Sequence, residues 1–550
     1  MNDVQINPVD GTMTDTAGND ATENDATESG TAHRTTANPA LFGSPVGYRR
    51  TALTVTPEEL PRFAVGLFAE GFRVALVSGH DDGDALRAVY LFVGTRPDRR
   101  VELRVPLQAG SPHLPSLASL SFSTGRFERE MHDLYGIVPD DHPLPARLVR
   151  HFHWPRGWHP MRHDATDPPE FGDVDGPYPF RPVEGPGVYE IPVGPVHAGL
   201  IEPGHFRFSV VGETILTLKA RLWFVHKGVE KLFQGRTPEA ALELAERISG
   251  DTTVGHTLAF CLAVEDALGL RVSPATSKIR AILLELERLY NHITDIGALC
   301  NDVGHGILNA HAQHLREQLL RINADLTGHR LLRGAISPGA ATIRQGPDVS
   351  RLTAIAAHID DIVGLALGHT VVRERFTGTA VLTRRQAVDL GTLGYVARAS
   401  GIDVDARRDH PFYDLGPAFA VHTQQGGDVL ARFLIRAEEI KTSVAVIAEL
   451  LDSPDTPPPV AALTARPGTP HTAGVRPSQP RTGVGIVEGW RGTLTHRVEV
   501  HPDGTLARVK IVDPSFFNWP ALPVALADTI VPDFPLVNKS FNLSYAGNDL

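Results

Sequence analysis

An α+β protein is what the sequence predicts: a small N-terminal α/β domain, then a large, mainly helical bundle domain with β-rich edges. Three observations predict it. Between residues 47 and 165, short β-like runs alternate with helical stretches. Further on, apolar residues recur at helical spacing, as in Ile282, Leu286, Leu289, Ile293 and Ile296. Near the C-terminus two alternating runs, Thr493–Val500 and Leu506–Val512, flank a Pro502-Asp503-Gly504 turn.

Residues 1–46 are rich in Thr, Asn, Asp, Ala and Gly, too poor in large apolar side chains to offset the entropy of ordering, and read as a disordered tail. The first domain, 47–165, is predicted to hold strands at Phe72–Val77, Ala88–Val93 and Arg99–Val105, with Asp81-Asp82-Gly83 turning the chain between two of them. Residues 166–190, dense in Pro, Gly and Asp, read as an extended linker. The second domain, 191–550, opens with strands Phe206–Val211 and Glu213–Leu218. It continues in helices at Lys278–Leu299, His311–Thr327, Val349–Gly368 and Asp428–Leu451. A Pro-rich flexible loop is expected at 453–482.

The bulk composition excludes several classes. With 42% hydrophobic and 21% charged residues the chain has globular cores. Its formal charge is −12 and no basic run dominates, which argues against a nucleic-acid partner. No apolar run reaches the roughly 18 residues of a membrane span, and there is no signal pattern. A peripheral, cytoplasmic location is expected. Cys261 and Cys300 form no CxxC and read as buried, inert thiols. His311 and His314 share a helix face without a third ligand, so a metal site there is not expected. Glu285 with Arg288, and His292 with Asp295, stand at i,i+3: either a buried proton relay or helix ion pairs.

The run Phe127-Glu128-Arg129-Glu130-Met131-His132-Asp133-Leu134-Tyr135-Gly136-Ile137, continued by His142-Pro143 and Trp158-His159-Pro160-Met161-Arg162, resembles the signature of the 30-kDa subunit of respiratory complex I. The second domain is similar to the complex I 49-kDa subunit and to large subunits of group 4 nickel–iron hydrogenases, the formate hydrogenlyase type included. The matches run in order: Gly194-Pro195-Val196-His197, Glu202-Pro203-Gly204-His205, His226–Leu232, Ala263-Val264-Glu265, Glu285–His292, Arg398-Ala399-Ser400-Gly401, Gly427–Arg432 and Val487–Gly492.

That resemblance implies a site and shows how this chain departs from it. The hydrogenase pattern RGxE, fifteen residues, ERxCGxC falls on Lys227–Glu230 and Glu246–Thr252, where the cysteine positions hold Ser249 and Thr252. The second pair, near the C-terminus, falls on Ser544 and Gly547. Nickel and low-valent iron need soft thiolates, so no metal is expected and no nickel–iron activity. Complex I lost the same cysteines and uses the cavity for a quinone headgroup. Of the three headgroup residues the resemblance implies, the aspartate maps onto Asp302, but the histidine maps onto Ile201 and the tyrosine onto Pro238, neither of which can donate a hydrogen bond there.

Asp302, His197, Glu230 and His256 are the residues expected to line the old cavity. Two functions follow. One is a subunit of a membrane-associated, complex I-like oxidoreductase that receives electrons from a small iron–sulfur partner subunit, sits on a membrane subunit, and passes them to an unknown acceptor, quinone being the one the resemblance offers. The other is a structural module bridging those subunits with no chemistry of its own. A metal enzyme built on His256 and carboxylates is a third, remoter reading. The chain itself is expected to bind no cofactor, the cluster residing in the partner.

Overall fold

The computed structural model describes residues 50–165, 167–452 and 480–550; the expected tail and most of the Pro-rich loop lie outside them. The first domain is a four-stranded sheet in the order β1-β4-β3-β2. Here β1 is Arg50–Thr54, β2 Arg73–Asp81, β3 Ala85–Gly94 and β4 Arg99–Gln108, with α1 (Leu60–Ala69) joining β1 to β2. The two hairpin pairings are antiparallel and β1–β4 is parallel. The predicted turn is real: Asp81 Oδ1 accepts from Gly83 N at 2.9 Å, and Gly83 takes φ +90°. A minor parallel pair, β5 (His113–Pro115) and β6 (Val138–Asp140), brackets α2 (Phe122–Tyr135).

Helix α2 carries the charged signature, and the structure explains it. Ser121 caps the helix start and Gly136, at φ +74°, ends it. Glu128 is buried and accepts from Leu117 N at 2.8 Å and Ser116 Oγ at 2.6 Å. Asp133 gathers three backbone N–H groups, those of Leu148, Val149 and Arg150, at 2.7–3.1 Å. Glu130 reaches the other domain, 2.7 Å from Lys510 Nζ. These acids fix the helix, the chain that leaves it, and the domain interface.

The last residues of the expected 166–190 linker already form a strand, from Val188. β7 (Val188–Val193), β8 (His205–Val211) and β9 (Thr214–Arg221) make an antiparallel sheet. Then come α3 (Val229–Phe233), α4 (Pro238–Ala245), α5 (Thr253–Leu268), α6 (Pro274–Asp302), α7 (Gly306–Thr327), a two-residue pair β10–β11 (Ile336–Ser337, Ala340–Ala341) and α8 (Val349–Gly368). Four short helices, α9–α12 (Thr370–Phe376, Arg384–Leu390, Gly394–Ala399, Ala406–Asp409), lead to α13 (Val429–Asp452). Strands β12 (Arg481–Gly489), β13 (Gly492–Val500) and β14 (Leu506–Val512) form a second antiparallel sheet. Helices α14–α17 (Pro514–Asn518, Ala521–Leu526, Phe534–Phe541, Tyr545–Asp549) finish the chain. Arg481 and Thr482, expected in the loop, pair instead with β13.

Helix α6 is the bundle axis. Every residue from Lys278 to Ile293 is buried, so its charged side chains must find partners inside the protein. Helix α5 lies directly on β12. A Cβ on Gly483 would collide with Ala263 O, and one on Gly485 with Ala259 O, so only glycine permits that approach. The two domains are joined through charge. Glu102 of β4, with no exposed surface, binds Arg50 at 2.8 Å, Arg104 at 2.6 Å and Arg497 of β13 at 2.9 Å.

Candidate functional site

The four positions where the resemblance places cysteines come together. Ser249 and Thr252 sit in the turn before α5, Ser544 caps α17 and Gly547 lies inside it. Ser249 Oγ is 2.9 Å from Ser544 Oγ, and Ser544 Oγ accepts from Gly547 N at 2.8 Å. Ser249 and Thr252 both donate to Asp251 Oδ1, at 2.9 and 3.0 Å. The centre of the site is an ion pair. Arg491, from the turn between β12 and β13, grips both Asp251 oxygens at 2.7 and 2.6 Å, donates to Asn542 O at 2.5 Å, and stacks 3.9 Å from the Trp490 ring centroid.

Charge follows from this arrangement. Desolvation pushes the Asp251 carboxyl up, but the Arg491 guanidinium and the two hydroxyls bring it down to about 2. Arg491 is buried, whereas 39% of the Asp251 side-chain surface faces solvent. Asp251 is therefore the partner of the pair that water reaches.

Behind the ion pair lies a second buried row. Asp513, which opens α14, accepts from His256 Nε2 at 3.1 Å; His256 Nδ1 is 3.1 Å from His496 Nε2. Burial raises the Asp513 carboxyl, yet the His256 contact holds it below the usual range. It is thus an acceptor, toward which His256 Nε2–H donates. Burial drives His496 well below its ordinary value, so it is neutral. A Cβ on Gly547 would lie 2.6 Å from Asp513 Oδ2. The carboxylate thus fills the space into which the fourth thiolate would project.

The residues at these four positions do not fit a nickel–iron centre. Three hydroxyls and a glycine stand in place of four thiolates, the hydroxyls bond to one another and to Asp251, and a guanidinium already supplies the positive charge. His256 faces Asp513 and His496, and among the described residues no group of three or more His, Cys, Asp and Glu side chains is arranged to hold a metal.

Of the four expected cavity residues, only His256 touches this cluster. Glu230 is buried one step away. It accepts from Ile511 N at 2.9 Å and Arg508 at 2.7 Å, and its partners are Arg508 and Lys510 of β14 rather than Lys227 or Lys231 beside it in sequence. Burial raises its carboxyl, and those two cations return it below the usual range. His197 bonds no cluster atom; its Nε2 meets Gly204 O at 2.7 Å, and the loop it belongs to packs on the 544–547 segment through Glu202, which accepts from Ala546 N. Asp302 ends α6, seven residues beyond Asp295, which accepts from Asn542 Nδ2. It therefore lies about 10 Å further along the axis, where burial raises its carboxyl against the pull of Lys539. Ile201 is exposed and Pro238 begins α4, buried.

Sequence reading misses Asp251, Arg491, Asp513, His496 and Glu287. Asp251 and Arg491 lie inside the motif stretches 246–252 and 487–492, and losing a metal is itself a signal to look for a replacement cation. Glu287 caps α5, accepting from Val254 N at 2.6 Å and Gly255 N at 2.9 Å; burial pushes it up to about 8. Spacing alone leaves Glu285, Arg288 and His292 open between a relay and helix ion pairs. They join a buried inter-helix network. Glu285 binds Arg288 and Arg407, while Glu439 of α13 binds His292 at 2.8 Å and Arg398 at 2.5 Å.

Comparison with known proteins agrees with this layout. Residues 53–169 match the respiratory-chain NADH dehydrogenase 30 Kd subunit family, 227–300 the nickel-dependent hydrogenase family, and 302–549 the respiratory-chain NADH dehydrogenase 49 Kd subunit family. The chain is 30% identical to formate hydrogenlyase subunit 5 of Escherichia coli (strain K12), over 90% of this chain and 88% of that one. It is 30% identical to hydrogenase-4 component G of the same organism, over 82% and 78%. It is 29% identical to NADH-quinone oxidoreductase subunit 4 of Thermus thermophilus, over 64% and 92%. A chain of the membrane-bound sulfane sulfur reductase, an archaeal respiratory membrane complex, shares the fold with a TM-score of 0.59 at 22% identity, covering 66% of this chain and 99% of that one. No single helix among the described residues is long and apolar enough to cross a membrane. The chain belongs to the family of fused complex I 30-kDa/49-kDa-type subunits and nickel-dependent hydrogenase large subunits.

Proposed function

We propose that this chain is a core subunit of a membrane-associated oxidoreductase complex that works without a nickel–iron centre. Its relatives are subunits of complex I-like and hydrogenase-related membrane complexes. The observation that carries the reading is the Asp251–Arg491 pair, bonded at 2.6 and 2.7 Å where the family's metal would need thiolates. Electrons delivered by a small iron–sulfur partner subunit pass to an acceptor bound outside the closed pocket, against the exposed side of Asp251. The chain contributes the wall of that site and the link to the membrane subunit, on the cytoplasmic side. Quinone is the acceptor that the relatives' names offer. Hydrogen is not a substrate, since neither serine nor threonine is basic enough at neutral pH to hold low-valent nickel.

The bridging role without chemistry keeps one observation in its favour: the pocket core is filled by ion-paired and hydrogen-bonded side chains. One assay separates the two. The complex purified from native membranes is supplied with reductant and tested for hydrogen evolution and quinone reduction, with wild-type chain and with Asp251→Asn. The proposal expects no hydrogen, quinone turnover in wild type, and a changed KM for quinone in the variant. Turnover indifferent to Asp251 favours the bridge, and hydrogen evolution refutes both.

A further inference from the structure

A cleft of about 590 Å³ opens between the two domains and shares no residue with the former metal pocket. Two sheets face each other across it. The first domain supplies Thr54 and Arg104, register partners on β1 and β4, and Arg87 of β3. The second supplies Thr482, Glu499 and Arg508, which stand in register across β12, β13 and β14. His163 and His501 also stand in the wall, one from each domain. The volume falls within the roughly 300–1,000 Å³ of small-molecule sites, which favour domain interfaces.

The carboxylates in this wall are already occupied. Both Asp82 oxygens accept from Arg87 at 2.8 Å. Glu499 accepts from Arg87 and Arg497. Asp81 accepts from Gly83 N at 2.9 Å and His163 N at 2.8 Å. The donors are not all used. Arg104 gives Nε to Glu102 at 2.6 Å and reaches across the cleft with Nη2 to Thr482 Oγ1 at 3.3 Å. Its Nη1 bonds no described residue and stays open to solvent, in a side chain 28% exposed. The exposed His163 ring has Nδ1 3.5 Å from Asp81, and its Nε2 bonds no described residue. The exposed His501 ring bonds none either.

Charge points the same way. Arg50, Arg104 and Arg497 share the single Glu102 carboxylate. Arg497 has Glu499 as a second acid at 2.8 Å, and Arg50 has Asp266 at 3.5 Å. Arg104 has no second acid among the described residues. A ligand oxyanion would supply it through a charge-assisted hydrogen bond. A cation would meet Arg104 and find the carboxylates occupied.

We propose that this interdomain cleft binds a small molecule bearing an oxyanion, a carboxylate or a phosphate, which accepts from Arg104 Nη1, with His163 and His501 as further donors. The site is independent of the reading of the metal pocket.

Phenyl phosphate and benzoate, with neutral benzamide as the control, test this by calorimetric titration into the full chain in a buffer free of other oxyanions. Saturable 1:1 binding of at least one anion is expected, about tenfold or more tighter than benzamide, the worth of one hydrogen bond to a charged group. Binding of phenyl phosphate alone identifies a phosphate site, and of benzoate alone a carboxylate site. Arg104→Gln should weaken the anion about tenfold or more. Thr54→Trp narrows the cleft from the exposed end of the edge strand without touching an ion pair, and should weaken binding as well. If Arg104→Gln fails to fold, the wild-type preference and the Thr54→Trp result decide. Absence of saturable anion binding, an affinity no better than that for benzamide, or binding unchanged in folded Arg104→Gln or in Thr54→Trp overturns the proposal.

Discussion

Arg491→Ala is the sharpest perturbation of the metal-free pocket. The change removes two bonds to Asp251, one to Asn542 O, and the stacking on Trp490. Breaking one side of a buried ion pair costs about 3–5 kcal/mol, because the remaining charge is stranded. Asp251, however, keeps 39% of its side-chain surface in solvent and rehydrates in part, so about 2–3 kcal/mol is the expected loss. For a cooperative unit the size of the second domain, with an unfolding entropy of about 0.7 kcal/mol/K, that lowers Tm by about 3–4 °C. Differential scanning fluorimetry of the full chain measures it. The hole left behind matches a guanidinium, so methylguanidinium at millimolar concentration should restore part of the loss in Arg491→Ala and do nothing for wild type. The acid response changes as well. Asp251 is held down at about 2 against an ordinary 3.8, so its contribution is complete above about pH 4 and is lost as the pH falls toward 2. Arg491→Ala lacks that decline. A variant with unchanged Tm and no rescue would mean that the guanidinium is not the cation replacing the metal, and the pocket would have to be reinterpreted.

Other perturbations probe neighbouring parts. Returning all four cysteines (Ser249→Cys, Thr252→Cys, Ser544→Cys, Gly547→Cys) should not load nickel, because the Gly547 Cβ would meet Asp513 at 2.6 Å and Arg491 remains; elemental analysis after expression in a host that assembles such centres checks this. Glu102→Gln strands three arginines and should cost about 3–5 kcal/mol, read as earlier interdomain proteolysis. Because burial raises Glu102 but Arg497 and Arg50 hold it well below 4.5, its stabilisation exists above the ordinary carboxylate range and disappears as pH falls through the lowered value. Glu287 behaves oppositely. Raised to about 8 from 4.5, it makes wild type lose stability as pH rises between those values, and Glu287→Gln should flatten that slope in urea midpoints taken across pH.

Much of the fold is legible in the sequence because local rules and tertiary structure agree. The Val349–Gly368 helix is found with those bounds, and the hairpin at Pro502–Gly504 and the turn at Asp81–Gly83 stand where turn chemistry puts them. The misses are non-local. β1 pairs in parallel with β4, fifty residues away, a partnership with no turn signal of its own. Arg481 and Thr482 look like the tail of a Pro-rich loop but are recruited into β12 by β13. At the site, the order of motifs locates Ser249, Thr252, Ser544 and Gly547. It does not reveal that Arg491, 240 positions from Asp251, reaches it, because such a pairing is set by the packing of α5 against the β12–β13 turn. For Glu230 the resemblance implies a place lining the cavity and says nothing of its partners. Only the approach of β14 shows it to be buried between Arg508 and Lys510. Asp302 and His197 inherit their candidacy from the resemblance, and the chain places both at the pocket's periphery.

Nickel, iron and acid-labile sulfide, quantified per complex after purification from native membranes with all partners retained, test the central claim most directly. The account predicts iron and sulfide from the partner's cluster and nickel at background. Stoichiometric nickel that co-purifies with this chain would contradict it, since the metal would then sit among the very hydroxyls and ion pair that should exclude it.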